Sequence, residues 1–138
     1  MSKSSNNQES KIKYFNIRLD DNGIDDLYSF VENIRLKYDD IKYYAIKHDR
    51  DLDSNGELKH LHYHLVIKLQ KGVRLSTMRN VVDELWHCPN NNVDSVRSFN
   101  ASIQYLIHKN DEDKFQYDES DVMTNDTLKH LHYFSLIY

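Results

Sequence analysis

The chain has 138 residues and a formal net charge of −4, with 39% hydrophobic and 12% aromatic residues. This length and apolar content predict one globular domain. The single cysteine, Cys88, excludes an internal disulfide and favours a reducing, cytoplasmic setting. No apolar run approaches the roughly 18 residues that a membrane span requires, and no signal-peptide pattern is present, so we expect no membrane partner.

The first half of the chain predicts a disordered start, then a strand, a helix and a hairpin. Residues 1–10 are polar and are expected to be disordered, with the domain spanning residues 11–138. A helical stripe of apolar residues predicts a helix at 23–37, capped by Asp20, Asp21 or Asn22. Alternating apolar residues and β-formers predict three strands, the last two joined by a turn that contains Asn55-Gly56: residues 11–19, 41–48 and 59–69.

The second half predicts two more helices around a short strand. Residues 111–126 are acidic and are expected to form a loop. The apolar end of the chain, near 127–138, indicates a last packed element or a connection to a further domain of a longer protein. The order β-α-β-β-α-β-α predicts an α+β fold, a central antiparallel β-sheet flanked by helices. The elements of this half are a helix at 75–86, a strand at 93–98 and a helix at 99–108 capped by Ser98 or Asn100.

Three histidines alternate with bulky apolar residues in the third predicted strand. Successive side chains of a strand point to opposite faces, so we expect His60, His62 and His64 to share one face. Side chains two residues apart are separated by roughly 6–7 Å at their Cα atoms, a spacing that suits two ligands of one metal ion. The alternation indicates a metal site, although a lone histidine is more often a structural or surface residue.

The partner strand of the hairpin supplies further candidate ligands. It ends at His48, and two aspartates follow, so His48 and either Asp49 or Asp51 can approach His62 and His64. Three imidazoles and a carboxylate form a mixed donor set that Mn²⁺, Mg²⁺, Co²⁺, Ni²⁺ or Zn²⁺ can occupy. The lack of a thiolate disfavours a structural zinc site.

A tyrosine on the helix predicted at 99–108 is the candidate nucleophile. Tyr105 falls at the edge of the apolar stripe, and His108 and Lys109 lie on the same side of the helix. A phenol is a poor nucleophile near neutral pH because its pKa is about 10, and a nearby cation or base would help it ionise. A metal ion can also polarise a phosphate. Metal and tyrosine together are suited to phosphodiester transesterification, although a tyrosine at such a position is more often part of the core.

Positive charge is concentrated in one stretch of the chain. Residues 59–82 contain five basic side chains and no acid, although the whole chain is acidic. A locally basic surface can bind phosphate on an acidic protein. Lys71, Arg74 and Arg79 are therefore candidate contacts to a DNA backbone, and an ordinary solvated surface explains the same charges equally well.

Two segments together resemble a known family: IKHDRDLDSNGELKHLHYHLVIKL (46–69) and YLIHKND (105–111). They are similar to the rolling-circle replication initiators of Gram-positive bacterial plasmids, which are HUH endonucleases, named for a histidine-hydrophobe-histidine pair. FQYD (115–118) resembles the family's continuation after the tyrosine helix. The resemblance covers most of the chain from about residue 11 and implies the ferredoxin-like, RRM-type topology of that family.

The resemblance implies a role for each matched residue. Tyr105 would attack the scissile phosphate of a plasmid origin, form a 5′-phosphotyrosine link and free a 3′-hydroxyl that primes replication. His48, Asp51, His62 and His64 would hold a divalent cation, most readily Mn²⁺ or Mg²⁺. The partner would be single-stranded or hairpin origin DNA, and oligomerisation would use a region outside this chain.

Two positions in the metal set stay open. Asp49 could replace Asp51 if the turn is shaped differently. The chain has His60 and Leu61 where the family often has a proline before the histidine pair, and His60 could be an alternative ligand, a support for a ligand or a DNA contact.

Other auxiliary roles and two alternative functions also stay open. Lys109 could steady the phosphate or the phenolate, and His108 lies beside it. Tyr117 could be a second nucleophile, although packing or stacking on DNA is favoured. The alternative functions are a relaxase or transposase of the same chemistry, and a DNA-binding module that cuts nothing and holds a structural metal.

Overall fold

The computed structural model describes residues 10–23, 26–88 and 90–126 and shows an α+β domain built on a five-stranded antiparallel sheet. A 3-10 helix, Glu119–Asp121, precedes the last strand. No helix in these ranges is long and apolar enough to cross a membrane. The strands and α-helices are β1 Lys11–Asp20, α1 Leu27–Lys37, β2 Lys42–His48, β3 His62–Arg74, α2 Leu75–Leu85, β4 Asn92–Ser95, α3 Phe99–Leu106 and β5 Met123–Thr124.

The strands lie in the order β4-β1-β3-β2-β5, and every neighbouring pair is antiparallel. The first four strands and their helices follow the connection β-α-β-β-α-β, which is the ferredoxin-like arrangement. The predicted α+β class and the predicted β2–β3 hairpin are both confirmed.

The two faces of the sheet carry separate apolar cores. On one face, α1 and α2 pack through Phe30, Val31, Met78 and Val82 against inward-facing residues of the central strands. On the other face, a smaller core covers β2 and β3, formed with α3 and the segment that follows it. Its buried residues are Tyr44, Ile46, Val66, Ile103, Leu106, Ile107, Tyr117 and Val122.

The start of α1 differs from the prediction. Asp26 is the N-cap, and its carboxylate accepts a hydrogen bond from the backbone N–H of Ser29 at 3.1 Å. Asp20 instead ends β1, and Asp21 accepts from the N–H of Gly23 at 3.2 Å to form a turn. The predicted caps were wrong because the chain must first turn back from the sheet before a helix can begin.

The limits of β3 also differ from the prediction. The strand begins at His62. Lys59 lies before it, in the loop that joins β2 and β3, where its backbone N–H donates to the Asp51 carbonyl at 2.8 Å. It continues to Arg74, because β1 pairs with it beyond an irregularity near Ile12. A Cβ at Gly72 would come within 3.2 Å of the β1 backbone, so a larger residue there would require the strands to shift by a few tenths of an ångström.

The acidic segment predicted as a loop contains a 3-10 helix and a strand. Asp118 caps this helix with its side chain, and Asp121 returns the bond in a capping box. β5 then adds to the edge of the sheet beside β2, where Met123 is paired with Ala45. The expected disorder of the N-terminus and the last element predicted near 127–138 lie outside the described residues, apart from residue 10.

Candidate metal and tyrosine site

Strands β2 and β3 place three histidines on the face that α3 covers. His48 and His62 are directly opposite in the antiparallel register, and Ile46 is opposite His64. The ring centroids of His48 and His64 are 4.6 Å apart, and those of His62 and His64 are 5.0 Å apart. The strand alternation expected for His62 and His64 therefore brings both rings into one cluster with His48.

Asp51 enters this cluster from the turn after β2. Its Oδ2 lies 3.1 Å from Nδ1 of His48 and 3.3 Å from Nε2 of His62. Asp51 is buried, whereas Asp49 is exposed. The structure thus brings Asp51, and not Asp49, to the histidines.

Backbone carbonyls determine which ring nitrogens hold protons. Nε2 of His48 lies 2.6 Å from the Leu106 carbonyl oxygen, and Nδ1 of His62 lies 2.9 Å from that of His60. A carbonyl oxygen only accepts, so each of these nitrogens donates, and the other nitrogen of each ring keeps its lone pair.

The lone pairs of these two rings converge on a carboxylate oxygen of Asp51. Nδ1 of His48 is buried and has no hydrogen-bond partner, since the oxygen 3.1 Å away is also an acceptor. Acceptors held together without a proton form a site for a cation. One candidate metal-ligand atom from each of His48, His62 and His64 lies within 4.8 Å of the others, which fits one divalent ion.

Burial keeps the imidazoles neutral, as metal ligands must be. It lowers the pKa of His48 to about 4 and that of His64 to about 2, and it also lowers the pKa of His62. Burial opposes ionisation of Asp51, but the hydrogen bond from Tyr117 and the nearby histidines outweigh it and lower the pKa of that carboxyl. The result is one carboxylate beside three neutral imidazoles.

Tyr117 supports this carboxylate from the segment that follows α3. Its hydroxyl donates to Oδ1 of Asp51 at 2.8 Å and accepts from the N–H of Arg50 at 2.9 Å. The ring stacks on His48 with centroids 4.6 Å apart and an interplanar angle of 7°. Burial raises the pKa of Tyr117, so the hydroxyl stays protonated and able to donate.

His108 closes the cluster at the end of α3. It has a positive φ of 61°, uncommon for a residue with a side chain, which ends the helix and turns the chain back. Nδ1 of His108 donates to the Phe115 carbonyl at 2.7 Å and lies 4.0 Å from Oδ1 of Asp51. His108 and Tyr117, auxiliary candidates from the sequence, are therefore both part of the cluster.

Tyr105 is partly exposed on the last turn of α3, at the edge of the histidine cluster. Its ring lies edge-on to His108, with centroids 5.4 Å apart. Tyr105, His62, His64 and Asp51 line one cavity of about 250 Å³. The candidate nucleophile and three of the candidate ligands therefore face the same space.

Three basic side chains also line this cavity: Arg18, Lys59 and Lys114. The amino group of Lys114 donates a hydrogen bond to the Tyr105 hydroxyl. Sequence reasoning missed Arg18 and Lys114. Arg18 is paired with His64 across β1 and β3, but a strand pattern does not tell which strands become neighbours. Lys114 comes from a segment without any period.

A second cavity, of about 600 Å³, adjoins the first and shares Arg18, His64 and Tyr105 with it. It runs along α3 and the strands β1 and β4. Its other polar lining includes Asn16, Asn92, Ser95, Arg97, Ser98 and Ser102. Tyr105 therefore lies where the two cavities meet and lines both of them.

Other predicted residues lie away from the ligand cluster. His60 is exposed, and its Nε2 is hydrogen-bonded to the Asp21 carbonyl at 3.0 Å. It precedes the first residue of β3, so the alternation of side chains that holds within the strand does not apply to it. Lys109 is partly buried, and its backbone N–H donates a hydrogen bond to the Gln104 carbonyl at 3.1 Å. His60 belongs to neither group of metal-ligating side chains found among the described residues.

The three predicted DNA contacts are not among the residues that line either of these two cavities. Lys71 is nine residues along β3 from His62, up to about 30 Å at the strand rise. Arg74 ends that strand, and Arg79 lies on α2, which packs on the opposite face. A guanidinium nitrogen of Arg79 lies 3.8 Å from Asp94. Their binding to DNA stays a prediction.

Comparison with known proteins identifies the family. A family model described as "Plasmid replication protein, origin binding domain" matches residues 7–129. A replication protein of Staphylococcus aureus is 27% identical over 77 residues, covering 55% of this chain and 37% of that protein. The replication protein RepB of Lactiplantibacillus plantarum is 30% identical over 77 residues, covering 56% of this chain and 34% of that protein.

The matched region thus spans about a third of the length of these two relatives. The family model covers far more of this chain, from before β1 to beyond β5. By that match, the chain belongs to the family of origin-binding domains of plasmid replication proteins.

Proposed function

We propose that this domain is an HUH-type endonuclease, which nicks one strand of a plasmid origin and joins itself to the DNA through Tyr105. Membership of an origin-binding family makes DNA its partner. The observation that supports cleavage is the shared cavity, where Tyr105 faces His62, His64 and Asp51. A pure binding module has no need of a tyrosine beside a cluster of neutral imidazoles.

The proposed ligands of a divalent cation are His48, Asp51, His62 and His64. The unpartnered Nδ1 of His48 and the lone pair of His62, both directed at Asp51, fit such an ion. Mn²⁺ or Mg²⁺ is the proposed cofactor, and other divalent transition metals would fit the same donors. When bound, the ion supplies Lewis-acid polarisation of the scissile phosphate.

We propose the following bond changes. The Tyr105 hydroxyl loses its proton to water, and its oxygen forms a bond to the scissile phosphorus. The bond between phosphorus and the 3′-oxygen of the preceding nucleotide breaks, and that oxygen takes a proton from water. A 5′-phosphotyrosine link and a free 3′-hydroxyl result, with no net hydrolysis.

Positive charge at the cavity supports phosphate binding. Arg18, Lys59 and Lys114 line the cavity, and Asp51 and Asp113 are the only acids among the residues described as lining it. A binding site of this kind neutralises backbone charge locally although the whole chain is acidic. The DNA is proposed to be single-stranded or a hairpin, as the resemblance to rolling-circle initiators implies, and oligomerisation is proposed to use regions beyond this domain.

The experiment is cleavage of a labelled oligonucleotide that carries the origin of the cognate plasmid, with Mn²⁺ present. The wild-type domain should nick it and form a covalent adduct, and excess chelator should stop both. Tyr105→Phe should abolish both while binding the oligonucleotide. Tyr28→Phe, an exposed tyrosine on α1, is the matched control.

Two outcomes would contradict the proposal. Binding without cleavage by the wild-type domain would favour a DNA-binding module with a structural metal. Full adduct formation by Tyr105→Phe would remove Tyr105 as the nucleophile. The family match favours a replication initiator over a relaxase or transposase of the same chemistry.

A further inference from the structure

Lys114 is in direct contact with the proposed nucleophile. Its amino group donates a hydrogen bond to the Tyr105 hydroxyl and lies 4.7 Å from the centroid of the Tyr105 ring. That hydrogen bond raises the pKa of Lys114, so the group is an ammonium at neutral pH. The Asp111 carboxylate lies 3.8 Å from the same nitrogen.

The segment that holds Lys114 is fixed at several points. We call residues 114–117 the strap. At one end, the Lys114 N–H donates to the Asp111 carbonyl at 3.2 Å, and at the other, the Tyr117 N–H donates to the Ile107 carbonyl at 3.1 Å. Between them, the Gln116 side-chain amide donates to the carbonyls of Asp111 and Lys114 at 2.9 and 3.0 Å.

The same strap also holds the proposed metal site. The carbonyl of Phe115 accepts from His108, and the hydroxyl of Tyr117 donates to Asp51. One four-residue segment thus contacts Asp51, His108 and Tyr105. The backbone that carries Lys114 is therefore held close to Asp51, one of the proposed ligands.

We propose that Lys114 is the positioning residue of the nucleophile: its ammonium orients the Tyr105 oxygen toward the cavity and stabilises that oxygen as its proton leaves. This inference rests on the proposed function. The bond changes are those given above, with the phenol proton going to water and Lys114 keeping its own protons. An ammonium held beside the phenol favours loss of the phenol proton, and an oxygen already oriented toward the cavity needs no rearrangement before it attacks.

Geometry favours Lys114 over the lysine that sequence reasoning selected. Lys109 directly follows His108 and lies next to the tyrosine helix, but the hydrogen bond to the phenol comes from Lys114. The Lys114 side chain is 40% exposed. Such exposure leaves room for DNA to approach and makes a substitution compatible with folding.

The test is a single-turnover cleavage assay on the intact domain with Mn²⁺ and saturating origin oligonucleotide. Lys114→Met should lower the rate constant at least about tenfold. This is less than the roughly 100- to 1,000-fold loss seen when a buried donor to a developing oxyanion is removed, because Lys114 is partly exposed. The dissociation constant for DNA should change less than threefold, because Arg18 and Lys59 still line the cavity. Lys114→Arg should recover most of the rate, and Lys37→Met, an exposed lysine at the end of α1, is the matched control.

Each outcome is decisive. An unchanged rate constant in Lys114→Met, or a loss confined to DNA affinity, would overturn the role of Lys114 while leaving the proposed nicking in place. A fall in rate that Lys114→Arg fails to rescue would also overturn it, and Lys114→Gln repeats the test if the methionine variant does not fold. If the wild-type domain cleaves nothing, the proposed function fails and this inference fails with it.

Discussion

Removal of a single hydroxyl should weaken the proposed metal site without disturbing its packing. Tyr117→Phe deletes the group that donates to Oδ1 of Asp51 at 2.8 Å, while the ring that stacks on His48 stays. The N–H of Arg50 also loses its acceptor, but Arg50 is exposed and water can replace the hydroxyl there. The effect should therefore fall mainly on the carboxylate.

The magnitude follows from the nature of this bond. A hydrogen bond to a charged group contributes about 1.5–3 kcal/mol. If that contribution orients Asp51 toward the ion, its loss corresponds to about 10- to 100-fold weaker binding, the range seen for groups that support metal ligands. The free energy of unfolding of the metal-free domain should fall by a similar amount, about 1.5–3 kcal/mol, because the same hydrogen bond is present without the metal.

Isothermal titration of the metal-free domain with Mn²⁺ measures this effect. Tyr44→Phe is the matched control, because the Tyr44 hydroxyl also donates to a carboxylate, that of Asp126, at 2.9 Å. Tyr44 is four residues from His48 on the same strand, about 13 Å away. Tyr117→Phe binding Mn²⁺ as tightly as Tyr44→Phe would refute the reasoning that Tyr117 holds Asp51 for the metal.

Two further predictions follow from the burial of the cluster. Asp51→Asn should abolish Mn²⁺ binding and cleavage. Asp49 is exposed, so Asp49→Asn should keep both within a few-fold. The reverse result in the titration and the cleavage assay would show that Asp49, and not Asp51, is the ligand. Metal-free protein should lose stability as the pH falls from 7 to 5, because the pKa values of His48 and His64, about 4 and 2 when folded, rise to the usual 6.5 on unfolding. The unfolded chain then binds more protons below about pH 6.5, so the free energy of unfolding should fall by up to about 1.4 kcal/mol per pH unit for each histidine. Urea unfolding at pH 7, 6 and 5 measures this slope, and a flat profile would show that the imidazoles are not held neutral.

Local periodicity predicted the parts of the site that lie on regular elements. The period-2 alternation placed His62 and His64 on one face, and the hairpin brought His48 opposite His62. The same rule failed at His60, because a strand pattern does not show where pairing stops. Alternation predicts a strand that starts at Lys59. In the structure, Lys59 belongs to the preceding loop, where its backbone N–H is hydrogen-bonded to the Asp51 carbonyl.

The strap could not be predicted in the same way. Tyr117 reaches Asp51 across 66 positions of sequence, and neither residue lies in a helix or strand. A contact of this range depends on how α3 packs on the sheet and where the chain turns back at His108. The basic residues show the same limit, since counting charges found Lys71 and Arg74 but not Arg18, whose place beside His64 depends on strand order.

Identification of the residue joined to DNA tests the central claim most directly. The wild-type domain would be incubated with origin oligonucleotide and Mn²⁺, the covalent adduct digested with a protease and a nuclease, and the modified peptide sequenced by mass spectrometry. We expect one nucleotide-bearing peptide with the phosphate on Tyr105. A phosphate on Tyr117 or another residue, or cleavage that leaves no covalent adduct, would contradict the account.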